Sequence, residues 1–228
     1  MFTKEKMSPN KIARIAGLLY IPPWILSLIA IFLRQSMIMP GEAASTAKNI
    51  AASGFTFSLS VVMDLIVQVV FVFLVLILYQ LLKYVSKKQA VVMVVLFLVS
   101  VPLAMLNTLN LFAAQLLSSN AYQFQNLVPF FLELNEIGIF IAYIFWGLWL
   151  FPFGYLVFKS GFLPKVLGIY LMISCFGYLI DFVTFFFFPD IGVSINMFTG
   201  WAELFICLWL LIKGVNVEKW QQLALESA

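Results

Sequence analysis

Three carboxylic acids, Asp64, Asp181 and Glu203, stand inside long apolar runs of this 228-residue chain. A charge in a run that favours hydrocarbon is costly unless the protein satisfies it, so each acid is expected to have partners or a function. At helical spacings of three and four, small and polar residues such as Gly177 and Tyr178 share the side of Asp181. We expect this side to face other helices.

The chemistry open to such acids depends on what surrounds them. Clustered carboxylates without a basic partner must share protons, bind a cation or face water, because like charges in a low-dielectric site cannot all ionise. Oxygen ligands favour calcium, magnesium or protons over zinc or copper. Any metal ion is expected to use Asp64, Asp181 and Glu203. A carboxylate pair can also serve as general acid and base, but the separation this needs cannot be read from the sequence.

Other kinds of site are excluded or unsupported. The chain has no histidine, which excludes His-based metal sites and Ser-His or Cys-His triads. Its two cysteines, Cys175 and Cys207, lie in apolar runs and are interpreted as small buried hydrophobes. No P-loop, GxGxxG, CxxC, GxSxG or HExxH motif occurs. The basic residues flank apolar runs instead of forming a nucleic-acid patch, so we expect no nucleic-acid partner. No cofactor is expected either.

The apolar runs themselves predict a membrane protein. The chain is 64% hydrophobic and 10% charged, whereas soluble domains have roughly 25% charged residues. About twenty apolar residues can cross a bilayer as a helix. Six such runs occur, at approximately 14–34, 55–82, 89–117, 136–158, 166–188 and 196–213. The predicted fold is an all-α, polytopic bundle of six transmembrane helices, forming a single domain over residues 1–228.

The basic residues predict how this bundle is oriented. Only Arg34 and Lys48 fall on the outside if the N-terminus is inside. The inner side then holds Lys4, Lys6, Lys11, Arg14, Lys83, Lys87, Lys88, Lys159, Lys165, Lys213 and Lys219. Both termini are therefore expected in the cytoplasm, and the chain in the cytoplasmic membrane. We also expect a short helix from Ala43 to Ala52 that lies at the outer surface or partly caps the mouth of the bundle, with a plain connector as the alternative.

Polar residues of four oriented spans fall at one depth, about 10 to 15 Å below the outer boundary at a rise of about 1.5 Å per residue. This layer predicts an outward-facing polar pocket, and no lysine or arginine is expected at this depth to neutralise the acids. The candidate ligand-binding residues are Asp64, Gln68, Asn107, Asn110, Glu136, Tyr178, Asp181 and Glu203. Alternatively, each acid is protonated and joins neighbouring helices by a hydrogen bond.

Several short patterns follow one another in a specific order. They are Arg14-Ile-Ala-Gly-Leu-Leu-Tyr20, Pro40-Gly41-Glu42-Ala43-Ala44, Ser160-Gly161-Phe162-Leu163-Pro164, Gly177-Tyr178 with Asp181, and Glu203 followed by Trp209-Leu-Leu-Ile-Lys-Gly-Val-Asn216. In these the chain resembles the bacterial integral-membrane family catalogued as domain of unknown function 4386. The resemblance implies a multi-span bundle without an established activity. The chain departs from it at Asn135, where a histidine is expected, and by lacking a buried arginine in the third span.

The leading hypothesis is a protein that binds a small cation or polar ligand from the outside, in a transporter-like or sensory role. One alternative is a membrane-embedded enzyme that uses two of the three acids as an acid–base pair on a lipid-linked or small polar substrate. Another is a structural or accessory subunit whose acids only join helices. The sequence does not favour an enzyme. Membrane lipids are expected partners, and a transporter of this size would need a homo-oligomer or a second half.

Overall fold

A computed structural model describes residues 7–119 and 124–227, and every regular element in that part of the chain is a helix. The helices are α1 (Pro9–Gln35), α2 (Ala43–Ala52), α3 (Gly54–Leu82), α4 (Lys87–Ser118), α5 (Val128–Leu148), α6 (Leu150–Ser160), α7 (Lys165–Phe187), α8 (Asn196–Thr199), α9 (Trp201–Ile212) and α10 (Val217–Glu226). The predicted all-α class is confirmed. Lys4 and Lys6, which entered the orientation argument, lie outside the described residues.

Five helical segments of the described chain are long and apolar enough to cross a membrane. They are Pro9–Gln35, Gly54–Leu82, Lys87–Ser118, Gln125–Ser160 and Lys165–Phe187. The sixth span, predicted at 196–213, corresponds to Asn196–Ile212, which meets these criteria only together with Val217–Glu226, to which it is bent by 98°. The described part of the chain therefore forms a multi-pass membrane helix bundle with five or six spans. Its orientation stays a prediction.

The fourth span differs most from its predicted bounds. We placed its start at residue 136 because Glu133 and Glu136 interrupt the apolar run, yet α5 begins at Val128 after a 3₁₀ turn at Gln125–Leu127. Both glutamates are exposed on the surface of α5. A helix continues where its polar side chains are solvated, so its end need not coincide with the end of the apolar run.

The chain divides into two compact units, each built from separate stretches of sequence. The first unit comprises Met1–Ile21, Phe71–Val99 and Tyr143–Ala228, and the second comprises Pro22–Val70 and Ser100–Ala142. The boundaries fall inside α1, α3, α4 and α5, so each of these helices contributes to both units. The expected single domain over residues 1–228 stays a prediction.

A row of aromatic rings runs through the core of the first unit. It consists of Tyr20, Phe71, Phe97, Trp149 and Phe153, with successive ring centroids 5.0 to 6.3 Å apart. Offset and edge-to-face pairs at such distances are favourable beyond the area that they bury. The rings come from α1, α3, α4 and α6 and the residue that precedes α6, so their packing ties these elements together.

Glycines let α6 and α7 approach each other closely in this unit. A Cβ atom added at Gly154 would lie 2.5 Å from the carbonyl oxygen of Gly168, and one added at Gly168 would lie 2.6 Å from that of Gly154. Only glycine fits at both positions without a backbone shift, which is how small residues bring membrane helices together. A similar contact sets Gly177 of α7 against the side chain of Thr199 of α8.

The core of the second unit is apolar and includes the short helix α2. Ala47 and Ile50 of α2 are fully buried with Phe57 of α3 and Leu111 of α4. The turn before α2 uses Gly41, whose positive φ of 79° is a conformation that favours glycine. The helix predicted from Ala43 to Ala52 is confirmed with the same bounds.

Candidate functional site

Glu203 provides the first unit with a buried carboxylate. It lies in the first turn of α9 with 8% of its surface exposed. The hydroxyl of Tyr178 on α7 donates a hydrogen bond of 3.3 Å to Glu203 Oε1. In residues 7–119 and 124–227 the one ion pair is Arg34–Asp64, so no described basic side chain pairs with Glu203. A buried acid with a single neutral partner keeps oxygen lone pairs available for a ligand.

Two further oxygen atoms in this region are buried and lack a hydrogen-bond partner within the described chain. One is the hydroxyl of Tyr20, a fully buried residue of α1 that interacts electrostatically with Glu203 and Tyr178. The other is Oδ1 of Asn196, whose side chain interacts with Tyr143 and Tyr178. Buried polar atoms normally have partners, so each of these calls for an explanation.

We call Tyr20, Tyr143, Tyr178, Asn196 and Glu203 the tyrosine–glutamate cluster. The rings of Tyr143 and Tyr178 meet edge to face with centroids 4.9 Å apart, which holds both phenols in place. The cluster combines one carboxylate with uncharged hydroxyl and amide groups. It can therefore hold one proton or coordinate one cation through oxygen atoms.

Sequence reasoning selected only Tyr178 and Glu203 from this cluster. Asn196 and Glu203 are seven residues apart, a spacing that puts both on one helix face and could have suggested Asn196. Tyr20 and Tyr143 come from α1 and α5, and no spacing in the sequence relates them to Glu203. Only the fold brings Tyr20 near Glu203, and it brings Tyr143 against the ring of Tyr178 and near Asp181.

Asp181 has a complete set of partners of its own. Its carboxylate accepts hydrogen bonds from the Ser194 hydroxyl at 2.5 Å and from the backbone N–H groups of Ile195 and Asn196 at 2.6 and 3.0 Å. These N–H groups begin α8 and have no acceptor within that helix. Asp181 thus anchors the start of α8 to α7. Of the two expectations for an acid in an apolar run, partners or a function, the carboxylate of Asp181 meets the first.

We expected no lysine or arginine at the depth of the acids, but Asp64 has an arginine partner. In the second unit Arg34 Nη1 lies 2.7 Å from Asp64 Oδ2 and donates to the Ser60 carbonyl at 3.3 Å. The side chains are only 12% and 24% exposed. The sequence predicts Arg34 at the outer end of the first span, and α1, which continues through Gln35, carries its guanidinium to Asp64 of α3.

The asparagines of the second unit join α4 to α5. Asn107 Nδ2 donates to the Asn135 carbonyl at 2.8 Å, and Asn135 Nδ2 donates back to the Asn107 carbonyl at 3.2 Å. Asn110 Nδ2 donates to Asn107 Oδ1 at 3.0 Å. Gly138 makes room for this pair, since a Cβ there would collide with Asn107 Oδ1. These amides satisfy one another, as in the helix-joining alternative.

The remaining candidates, Gln68 and Glu136, differ in their exposure. Gln68 is buried, and its Oε1 has no hydrogen-bond partner in the described chain, whereas Glu136 is exposed. Within residues 7–119 and 124–227, no three His, Cys, Asp or Glu side chains are grouped so that they could hold a metal ion. The metal site suggested for Asp64, Asp181 and Glu203 stays a prediction, because Asp64 belongs to the second unit and the other two acids to the first. A single pocket lined by all eight candidates stays a prediction.

Comparison with known proteins places the chain in a family. The family model described as domain of unknown function (DUF4386) matches residues 15–214. An uncharacterized protein of Archaeoglobus fulgidus is 37% identical over 101 residues, which span 44% of this chain and 58% of that relative. No solved structure matches the chain. Because the family model covers nearly all of its helices, the chain belongs to the DUF4386 family of unknown function.

Proposed function

We propose that this protein binds one small monovalent cation, a proton or Na⁺, in the tyrosine–glutamate cluster. It would do so in the cytoplasmic membrane, with both termini inside, in a transporter-like or sensory role. The cluster offers one carboxylate among neutral groups, so a single positive charge balances it. Hard cations prefer oxygen ligands, and every cluster residue carries at least one oxygen. Of the eight predicted pocket residues, the proposal uses Tyr178 and Glu203.

The Tyr20 hydroxyl and Asn196 Oδ1 have no hydrogen-bond partner within the described chain. This observation carries the proposal. Both atoms are buried; Tyr20 interacts electrostatically with Glu203 and Tyr178, and the Asn196 side chain interacts with Tyr178. Leaving a buried polar atom unsatisfied costs about 1 to 3 kcal/mol. A bound Na⁺ would satisfy the amide oxygen and the hydroxyl oxygen while balancing the carboxylate charge, whereas a proton would balance that charge on Glu203 itself.

The test compares melting of the purified protein in Na⁺ and in choline at constant ionic strength. At a Na⁺ concentration about 100 times Kd, binding adds about 2.7 kcal/mol of stability. That gain corresponds to a rise in Tm of roughly 5 to 10 °C for a chain of this length. Glu203→Gln keeps the shape of the side chain but removes its charge, and it should abolish the Na⁺ effect. Asp190→Asn, an exposed acid of the same unit, is the matched control.

The outcomes separate the two cations. A Na⁺ response that disappears in Glu203→Gln but persists in Asp190→Asn supports Na⁺. A Tm that is the same in Na⁺ and in choline but changes with pH between about 5 and 8 supports a proton, provided that Glu203→Gln abolishes this pH dependence. If Glu203→Gln responds to Na⁺ and pH as the unmodified protein does, the proposal is wrong.

The structural alternative has observations of its own. Asp181 anchors α8, Asn107 and Asn135 join α4 to α5, and Arg34 neutralises Asp64. If Glu203 also serves only to join helices, Glu203→Gln should change Tm equally in Na⁺ and in choline. The enzyme alternative needs an acid–base pair, and no observation favours it, because Asp64 and Asp181 already have other partners.

A further inference from the structure

A groove of about 340 Å³ lies beside the N-terminal end of α1 in the first unit. Its lining has two chemical parts. The polar part consists of Ser8, Asn10, Lys11 and Arg14, and the apolar part of Ile15, Leu18 and Leu211. A volume of this size falls within the range of small-molecule binding sites, about 300 to 1,000 Å³. The tyrosine–glutamate cluster shares none of these residues.

Charge and hydropathy change along this groove in one direction. Lys11, Arg14 and Leu18 follow the spacing i, i+3 and i+7, which places them on one face of α1. At a rise of about 1.5 Å per residue, Lys11 and Leu18 are about 10 Å apart along the helix. The cations come first and the apolar side chains follow towards the interior of the predicted span. A phospholipid has the same order, with an anionic headgroup followed by an acyl chain.

The two walls of the groove are held together without any ligand. Asn10 Oδ1 accepts a hydrogen bond of 2.9 Å from the Val215 N–H just after α9. Gly17 of α1 packs directly on α9, because a Cβ atom added there would lie 2.7 Å from the Leu211 nitrogen. The groove is therefore preorganised, which lowers the cost of binding.

The cations of the groove are available to a ligand. Lys11 and Arg14 are exposed, and neither forms an ion pair with a residue that the structure describes. We propose that the groove binds an anionic phospholipid, with its phosphate between Lys11 and Arg14 and the first part of one acyl chain along Leu18 and Leu211. Charge complementarity selects the anionic headgroup, and the apolar wall selects a lipid over free phosphate. The inference does not depend on cation binding by Glu203.

The experiment measures lipids retained by the full-length protein, using native mass spectrometry after exchange into detergent. Phosphatidylglycerol, phosphatidylcholine and inorganic phosphate are the three probes. The double variant Lys11→Gln with Arg14→Gln should bind phosphatidylglycerol roughly thirtyfold more weakly, because two cations near the headgroup are lost. The matched control is Lys87→Gln with Lys88→Gln, which removes two exposed cations from the first turn of α4. It should retain phosphatidylglycerol as the unmodified protein does.

A second variant tests the apolar wall. Leu18→Trp keeps every charge but fills the groove, and it should also weaken phosphatidylglycerol binding. Equal losses in the two double variants would mean diffuse surface charge and would overturn the proposal. So would equal binding of phosphatidylcholine, displacement of the lipid by inorganic phosphate, or unchanged binding in Leu18→Trp.

Discussion

Arg34 and Asp64, on α1 and α3, form an ion pair in which Arg34 Nη1 lies 2.7 Å from Asp64 Oδ2. The pair neutralises an acid that the sequence presents as isolated in an apolar run. It also satisfies an arginine at the end of the first span, where a lone charge in hydrocarbon would be costly. The second unit therefore uses its buried acid to hold two helices together.

Replacing one partner of this ion pair should lower the free energy of unfolding more than replacing both partners. Asp64→Asn leaves Arg34 without a carboxylate, and we expect a loss of about 3 kcal/mol. The double variant Arg34→Met with Asp64→Asn removes both charges and should recover most of that loss. Unfolding free energies measured in a double-mutant cycle provide the check, with the exposed Glu136→Gln as control. A double variant as unstable as the sum of the single variants would contradict the ion-pair account.

Asp181→Asn should destabilise the first unit. The amide that replaces the carboxylate has one acceptor oxygen, while three donors point at this position. We expect a loss of about 2 to 4 kcal/mol, and about 1 kcal/mol for Ser194→Ala, which removes one donor. Thermal melting and protease sensitivity of residues 188–196 measure the effect. Asp190→Asn, exposed in the same connection, should change neither; comparable losses in both variants would refute the anchoring role.

Tyr20→Phe separates a cation ligand from a packing residue. The hydroxyl has no hydrogen-bond partner in the described chain, so its removal should leave the protein in choline equally stable or more stable, by up to about 1 kcal/mol. In Na⁺ the same variant should show a smaller rise in Tm than the unmodified protein. Tyr170→Phe is the control, because that hydroxyl donates to the Phe198 carbonyl at 2.7 Å. It should lower Tm in both salts and keep the Na⁺ response.

The predicted orientation can be checked by labelling with a membrane-impermeant maleimide. The native Cys175 and Cys207 are buried, which keeps background labelling low. Lys48→Cys on α2 should be labelled in intact cells, whereas Lys88→Cys at the start of α4 should be labelled only after permeabilisation. Both lysines are exposed, so access from the two sides of the membrane is the variable. Labelling of Lys88→Cys alone in intact cells would reverse the orientation.

Local composition was enough to predict the helices. Each apolar run is long enough to cross a bilayer as a helix, and this property depends on the residues of that run alone. For this reason α3, α4 and α7 begin and end within two residues of their predicted bounds. The short helix α2 was predictable too, because a proline–glycine turn precedes it and a serine–glycine pair follows it. The helices α8 and α9 meet the criteria for a membrane span less well than the other helices, because their apolar run is shorter and α10 turns away from it.

The partners of the polar residues were decided by tertiary structure. The sequence determined that Asp64, Asp181 and Glu203 are charges in apolar helices and must be satisfied. It could not show that an arginine pairs with Asp64, that backbone N–H groups bind Asp181, or that a tyrosine hydroxyl binds Glu203. Spacing along one helix gives the face that a residue occupies, but not which helix lies opposite or how that helix is rotated. Those two quantities are set by the packing of glycines and aromatic rings between helices far apart in the chain.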